Sequence, residues 1–506
     1  PLDNTKSVTA RSARCAPFLL PPIPALDPIA PGGYLPPSLA KSGFGHGSSG
    51  LTASHRGAAG AGMDAWLWVY LALAGLAVVQ SVLVTLQMWE HRRFARNRLR
   101  EVDTYPVRGP ALLVIPCRGM DEGLEENLAA LIGQDYGDFR VRFVVESADD
   151  PACASIRRAM ARRPEVPCEL LVAGKADDSG QKVHNLRAAT AEIPPEIQFL
   201  AFVDSDARLR PHWLRAMVGR LQPADVAVAT GYRWFFPSRY SAANLILYSI
   251  NANYSLLFGP KTPDFVWGGS WAIRRDKFES LDMRQAWKGT LSDDLVATRV
   301  VRRGDGHARF EPACLVLSPL DTGWAGMFSF LRRQYIIARY YSPLWWAFAL
   351  AVVGFAGLFL WGSVGLALWG LAAGSAAWWV PGGMAATLYF MTVGRGFLRA
   401  EIARRYFPDV AARLHPVQVF DTWATPLVAA VHCLALASST VGRHITWRAI
   451  QYRIFPGGRI RLIRREDWSP AAEQIEAETG APLRHEAPAP HFPARTAPAP
   501  SDTFVR

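Results

Sequence analysis

Cysteine is scarce in this chain of 506 residues. Six occur, at 15, 117, 153, 168, 314 and 433, and no two stand in C-x-x-C spacing. That excludes a disulfide framework and a thiolate zinc site, makes a reducing compartment the default, and leaves each cysteine as a small buried hydrophobe. Charge is scarce as well. Only 19% of residues are charged, whereas half are apolar and 18 are Trp, a balance that leans towards a membrane protein. The charge present is lopsided, with 55 Lys and Arg against 43 Asp and Glu, a net +12 that suits an anionic partner surface. No aromatic RNA-binding strand and no paired zinc-ligand spacing is found, so nucleic acid is not expected as a partner. The arginine clusters flank apolar spans instead and point that charge at a membrane face.

Residues 1–62 are rich in Pro, Gly, Ser and Ala without periodicity, and disorder is the expectation. The first Met is Met63, directly before an apolar span, so a mis-assigned start is the other reading of this extension. An uncharged stretch, Ala65 to Gln87, has bilayer-spanning length and carries Trp66, Trp68 and Trp89 at its ends. The five arginines of residues 91–100 follow it, which places that side in the cytoplasm and makes 63–90 an anchor rather than a cleaved signal. A bacterial-type inner membrane is the expected location.

Residues 91–340 read as a cytosolic α/β domain. Apolar runs at 111–115, 141–146, 169–172 and 199–203 alternate with helical stretches at 124–132 and 152–162. That rhythm predicts a mostly parallel sheet with crossover helices. Further on, a helix is expected from Pro211 to about Leu221, a strand at 226–230, a helix at 239–257 and another opened by Leu291-Ser292-Asp293-Asp294, whose carboxylates suit a helix start, and running through Val301. Residues 341–395 are too long and apolar for one span. Two membrane helices joined near Gly362–Gly365 are expected, with Pro381-Gly382-Gly383 as the alternative break. Residues 396–465 then supply a basic loop to 413, an apolar segment at 421–441 and a basic tail. Positive charge on both flanks of 421–441 conflicts with a single crossing, so a re-entrant or interfacial hairpin is the alternative. Residues 466–506, rich in Pro, Ala and Glu, read as a disordered tail.

The run Phe199 to Val203 ends abruptly in Asp204-Ser205-Asp206. Ligand crevices of open α/β sheets lie outside the carboxyl ends of the strands, and alternate residues share one side of the pleat. Two hard oxygen ligands there suit Mg²⁺ or Mn²⁺ bridging substrate phosphates. A turn or helix cap would use the same residues. Other acidic groups fall at strand ends or helix starts of the same domain: Glu146 to Asp150, and Asp293 with Asp294.

The order and spacing of these motifs resemble the inverting glycosyltransferases of the GT-A fold (Rossmann-like, mostly parallel sheet; family 2/21 type). The resemblance is closest to the membrane-anchored ceramide glucosyltransferases and runs from about Trp66 to Arg465. "VVESADDPA" resembles the first acidic motif, ending on Asp150, and "GQKVHNL" the segment that places Lys182 and Asn185 near the nucleotide. "FVDSDARL" resembles the second acidic motif, "WGGSWAIRRD" the acceptor-side glycine loop, and "LSDDLVATRVVRRG" the third acidic motif. "ITWRAIQYRI" at 445–454 is similar to the family's terminal segment.

The resemblance implies a UDP-sugar donor, a membrane-lipid acceptor and a Mg²⁺ or Mn²⁺ cofactor. It implies Asp294 as general base, Asp204 and Asp206 as metal ligands, and Asp150, Lys182, Asp204, Arg333, Gln334 and Arg339 on the nucleotide-sugar side. Gly268, Gly269 and Asp293 fall on the acceptor side. Ceramide or a similar lipid is the expected acceptor, with a hopanoid, a polyprenyl phosphate or a growing polysaccharide as alternatives and a non-catalytic scaffold as the contrasting class. One departure stands out. Relatives carry Arg/Gln-x-x-Arg-Trp before the C-terminal membrane helices, but here Arg333 is followed by Ile336-Ile337 in the Arg-Trp position. Arg339 and Tyr340, one helical turn on, are the nearest substitutes. The loss argues against a processive polysaccharide synthase.

Overall fold

A computed structural model describes residues 54–105, 108–121, 123–260, 265–304 and 306–465. The chain divides into two units, Pro1–Ala65 and Trp66–Arg506. The disorder expected for 1–53 and 466–506 lies outside the described residues. Residues 54–62, expected to lack regular structure, instead begin helix α1 (Ser54–Glu101), which also runs on through the arginines past residue 90.

The α/β domain follows as β1 (Ala111–Pro116), α2 (Leu124–Ile132), β2 (Phe139–Val145), α3 (Ala152–Ala161), β3 (Cys168–Val172), α4 (Gln181–Ala189) and β4 (Phe199–Val203). Then come α5 (Trp213–Arg220), β5 (Val226–Pro237), α6 (Ala242–Ser255), β6 (Ser270–Arg274), α7 (Arg275–Ser280), α8 (Met283–Trp287), α9 (Asp293–Arg303), β7 (His307–Leu320) and α10 (Trp324–Tyr341). The seven strands form one sheet in the order β3-β2-β1-β4-β6-β5-β7. Only β6 runs against its neighbours, so the expected mostly parallel α/β sheet is what forms.

The apolar runs become central strands because helices cover both faces. Residues 111–115 of β1 and 199–203 of β4 are buried throughout. On one face, Phe202 stacks on Trp271 of β6 at 4.4 Å, and Trp287 meets both rings edge-on. Such aromatic pairs add about 0.5–1.5 kcal/mol beyond the area they bury. Two local expectations shift. Pro211 precedes α5, which begins at Trp213, and Ser292 rather than an aspartate is the N-cap of α9, accepting from the Leu295 amide.

The membrane-side helices differ more. Helix α11 (Pro343–Ala372) passes unbroken through Gly362–Gly365. Glycine lowers helix propensity but removes no hydrogen bond, so it does not force a break. The chain turns at 373–378, and α12 (Trp379–Tyr406) carries Pro381 in its first turn, where a missing N–H costs nothing. The basic loop expected at 395–413 is therefore helix as far as Tyr406. Its arginines are not all solvated: Arg399 pairs with Asp421 at 2.7 Å, both nearly fully buried, and Arg395 donates to the Ser81 carbonyl on α1.

Among the described residues two helices, Trp66–Glu101 and Pro343–Ala372, are long and apolar enough to cross a membrane; α12 is not one of them. The segment expected to be a crossing or a re-entrant hairpin forms α13 (Ala411–Trp423) and α14 (Thr425–Ser438), within a helical pair bent by 80°. The "basic tail" is a second sheet of three antiparallel strands, β8 (His444–Trp447), β9 (Ile450–Ile454) and β10 (Ile460–Arg465).

This small sheet packs back on the large domain. The Ile460 amide donates to the Gly289 carbonyl, and the Tyr341 hydroxyl accepts from the Leu291 amide while donating to the Gly458 carbonyl. The Tyr452 hydroxyl accepts from the Gln181 amide. The loops that start α4 and α9 are thus held from outside.

Candidate active site at the strand ends

Helices α4 and α9 begin side by side. The Gly180 amide donates to the Thr290 carbonyl at 2.8 Å, and a Cβ at Gly180 would stand 2.8 Å from Leu291 Cδ1. A side chain there would have to push Leu291 aside, so glycine eases this approach. Lys182 therefore lies in the first turn of a helix rather than on a loop, and its amine reaches across the crevice. It sits 2.7 Å from Asp204 Oδ1 and 3.3 Å from Asp293 Oδ1, and donates to the Gly268 carbonyl at 3.0 Å. Burial opposes its charge, but the surrounding Asp204, Asp293 and Asp294 outweigh this and raise its pKa.

The two aspartates of α9 have different surroundings. Asp294 is half-buried; its Oδ1 accepts from the Leu295 amide and the Ser292 hydroxyl, and its Oδ2 accepts from the Gly268 amide at 3.0 Å. Asp293 is fully buried, and its Oδ2 has no hydrogen-bond partner. Burial pushes the Asp293 carboxyl up to about 7, with Lys182 pulling it down and Asp294 and Asp204 adding to the rise. The enclosed Asp293 holds Lys182, and Asp294 beside it is the more exposed of the two.

Gly268 and Gly269 are required by crowding. A Cβ on Gly268 would lie 2.9 Å from Asp293 Oδ2, and one on Gly269 would lie 2.8 Å from Asp204 Oδ2 and 2.3 Å from the Trp267 ring. The glycine loop is thereby pressed onto the carboxylates from the β6 side.

Asp206 is partly buried. Burial first, then the neighbouring Asp204 charge, push its carboxyl up to about 6, with Arg233 and Arg448 acting in the opposite direction. Two hard carboxylates whose mutual repulsion a cation would relieve fit a divalent ion whose remaining ligands are phosphate and water. A group of three potential ligands found among the described residues is elsewhere, at Asp177, Asp178 and His184, where Asp178 already pairs with Arg187.

Asp150 lies beyond β2, accepting from the Gly119 and Ala152 amides, with burial raising its pKa. It lines the same carboxyl edge of the sheet. The structure does not bring Gln334 or Arg339 there. Gln334 is exposed, and Arg339 donates to the Ser439 and Gly442 carbonyls beyond α14. Ile336 and Ile337 are buried in the core against α9 and the small sheet. Arg333 does approach, donating to the Thr446 carbonyl of β8. Arg233 and Arg448 were not picked out from the sequence. The "ITWRAIQYRI" segment was the signal for Arg448; nothing local marked Arg233.

A mostly parallel sheet with carboxylates and a glycine loop gathered at its strand ends has the layout of the GT-A fold. Residues 72–460 match glycosyl transferase family 21, and the chain belongs to that family. Among solved structures, it is similar to a mannosyltransferase from Pyrobaculum calidifontis in complex with GDP-Man and Mn²⁺ (17% identity, TM-score 0.36, covering 72% of this chain and 99% of that one). It is also similar to glucosyl-3-phosphoglycerate synthase from Mycobacterium tuberculosis (11% identity, TM-score 0.30, 48% and 84%). A third is GalNAc-T7 with UDP, GalNAc and Mn²⁺ (8% identity, TM-score 0.33, 46% and 50%).

Proposed function

We propose that this glycosyltransferase moves a hexose from a UDP-sugar to the hydroxyl of a membrane lipid, ceramide or one like it, by direct displacement with inversion. The observation that carries the reading is the Asp204–Lys182–Asp293 bridge with Asp294 beside it, which sets a donor-side pair and an acceptor-side carboxylate across one crevice. Asp294 takes the acceptor proton as the hydroxyl oxygen bonds the anomeric carbon and the bond from that carbon to the diphosphate breaks. A positioned base of this kind contributes about 10²–10⁴ in rate. Asp204 and Asp206 would hold Mg²⁺ or Mn²⁺, which when bound supplies charge neutralisation at the leaving diphosphate. Lys182 fixes Asp204 in place, and Asp150 meets the base or ribose.

The lipid acceptor is supported by the join between the domain and its helices. Only Ser342 separates α10, whose Arg333 approaches the crevice, from the apolar α11. A lipid hydroxyl could reach Asp294 while its chains stay in the bilayer. The arginines that follow the apolar part of α1 support a multi-pass protein with its catalytic domain on the cytoplasmic side of a bacterial-type inner membrane.

The test is expression in a host that lacks glycolipids, followed by mass spectrometry of its lipids. One new hexosyl- or hexuronosyl-lipid, absent with Asp294→Asn, is expected. UDP release that survives Asp294→Asn unchanged would overturn the base assignment. No turnover of any UDP-sugar with any lipid extract would overturn the reading itself.

A further inference from the structure

Strands β8 and β9 are joined by two residues, Arg448 and Ala449, with φ of +47° and +60°. Two-residue hairpins favour turns with positive φ at both positions, normally filled by Asn, Asp or Gly. Arginine and alanine adopt this region only with steric strain. The turn therefore holds Arg448 at the tip of the hairpin against the cheaper choice of residue.

That tip lies over the D-S-D loop. Arg448 Nη2 is 2.7 Å from Asp121 Oδ1, and Nη1 donates to the Arg118 carbonyl at 2.6 Å. The other oxygen of Asp121 accepts from the Ser205 hydroxyl at 2.7 Å. One carboxylate thus links the hairpin tip to the residue between Asp204 and Asp206.

Two further guanidinium groups stand nearby. Arg233 and Arg333 lie over the Phe330 ring, at 5.3 and 5.5 Å from its centroid. Arg233 also lies over Phe235 and Trp267, and neither arginine has an ion-pair partner among the described residues. Burial, then Arg233 and Arg448, push Arg333 down to about 10. Arg448 is open to solvent and is drawn by Asp121, Asp206 and Asp204, and Arg233 also acts on Asp206, so a phosphate entering beside these aspartates meets three guanidinium groups.

We propose that Arg448 binds the diphosphate of the sugar donor, so that the C-terminal hairpin supplies a cation beside Asp204 and Asp206. The proposal rests on the nucleoside-diphosphate-sugar reading above. The guanidinium fork suits two phosphate oxygens, which an ammonium or an amide cannot match. Arg233 and Arg333 flank the same anion from β5 and α10.

The experiment uses the full chain in lipid nanodiscs with Mn²⁺. It compares the affinity of UDP, GDP, CDP and ADP with that of each matching nucleoside. In the unaltered protein one diphosphate should bind much more tightly than its nucleoside. Arg448→Gln should weaken that diphosphate at least about tenfold with the nucleoside unchanged, and Arg448→Lys should lose less. Asp121→Asn separates binding from support of the hairpin. It removes the same ion pair, so a merely structural Arg448 predicts equal losses in Asp121→Asn and Arg448→Gln. A direct phosphate contact predicts a clearly smaller loss in Asp121→Asn. Equal losses, or an unchanged diphosphate preference in Arg448→Gln, overturn the proposal. An unaltered protein that prefers none of the diphosphates overturns the donor reading and this proposal with it.

Discussion

The amine of Lys182 lies 2.7 Å from an oxygen of Asp204, and its other carboxylate neighbour, Asp293, is 3.3 Å away. One cation from α4 therefore ties the end of β4 to the start of α9. Lys182→Met should leave Asp293 buried without its counter-charge. A stability loss of about 3 kcal/mol is expected, at the low end for a broken buried pair because Asp204 is 30% exposed. Turnover should fall by about 10²-fold or more through the misplaced Asp204. Adding Asp293→Asn to Lys182→Met should recover part of the stability but not the activity. Thermal unfolding and initial rates in detergent check both.

Asp293 also predicts a pH dependence of stability. Its carboxyl is raised from 3.8 to about 7 in the folded chain. Between those values the unfolded chain has released a proton that the folded chain retains, so stability falls as pH rises through this window. The stability it contributes is fully present below about pH 4 and is lost as pH passes about 7. Unfolding by denaturant at pH 5 and pH 7.5 should show the decline, and Asp293→Asn should remove that part of it. An equal slope in the two proteins would refute the assignment.

The D-S-D pair predicts dependence on a divalent ion. Chelation should abolish transfer, and Mn²⁺ or Mg²⁺ should restore it. Asp204→Asn and Asp206→Asn should each cost about 10²–10³ in kcat, the size of a lost electrostatic contact to a leaving group. The folded fraction should be unchanged, which circular dichroism verifies. Full activity in the presence of chelator would remove the metal from the reaction.

A further prediction concerns the helices. Arg399 and Asp421 are paired at 2.7 Å, with side chains 4% and 3% exposed, and Arg399 also donates to the Asn253 side-chain oxygen on α6. Arg399→Ala leaves a buried, unpaired carboxylate and should cost about 3–5 kcal/mol. Replacing both by leucine should cost much less. Thermal unfolding of the three proteins in one detergent measures the difference.

Burial on both faces made the central strands legible: β1 and β4 are continuous apolar runs because parallel strands show no polar side. Strand β7 was less legible, since Glu311 and Pro312 interrupt it; in the structure Glu311 is buried and paired with Arg98 at 2.7 Å, a partner more than two hundred residues away. The polar "DDSGQK" segment carries no apolar periodicity that would mark the helix start at Gln181, which puts Lys182 in the first turn of α4. The segment of β8–β10 reads as a basic tail because its arginines dominate, although its apolar residues alternate and face the core through Ile445, Ile450, Tyr452 and Ile454.

Local sequence determined the elements whose signal is short-ranged: the apolar strands, the long apolar helices, and the Asp204, Asp206 and Asp294 positions that a strand end or helix start presents. Tertiary structure alone decided which of those side chains meet. Lys182 bridges Asp204 and Asp293 only because two helix starts touch at Gly180, and Arg448 reaches Asp121 only because a C-terminal sheet folds back over strands that precede it by more than three hundred residues. Contacts of that separation depend on the packing of whole elements, and no local pattern of residues encodes them.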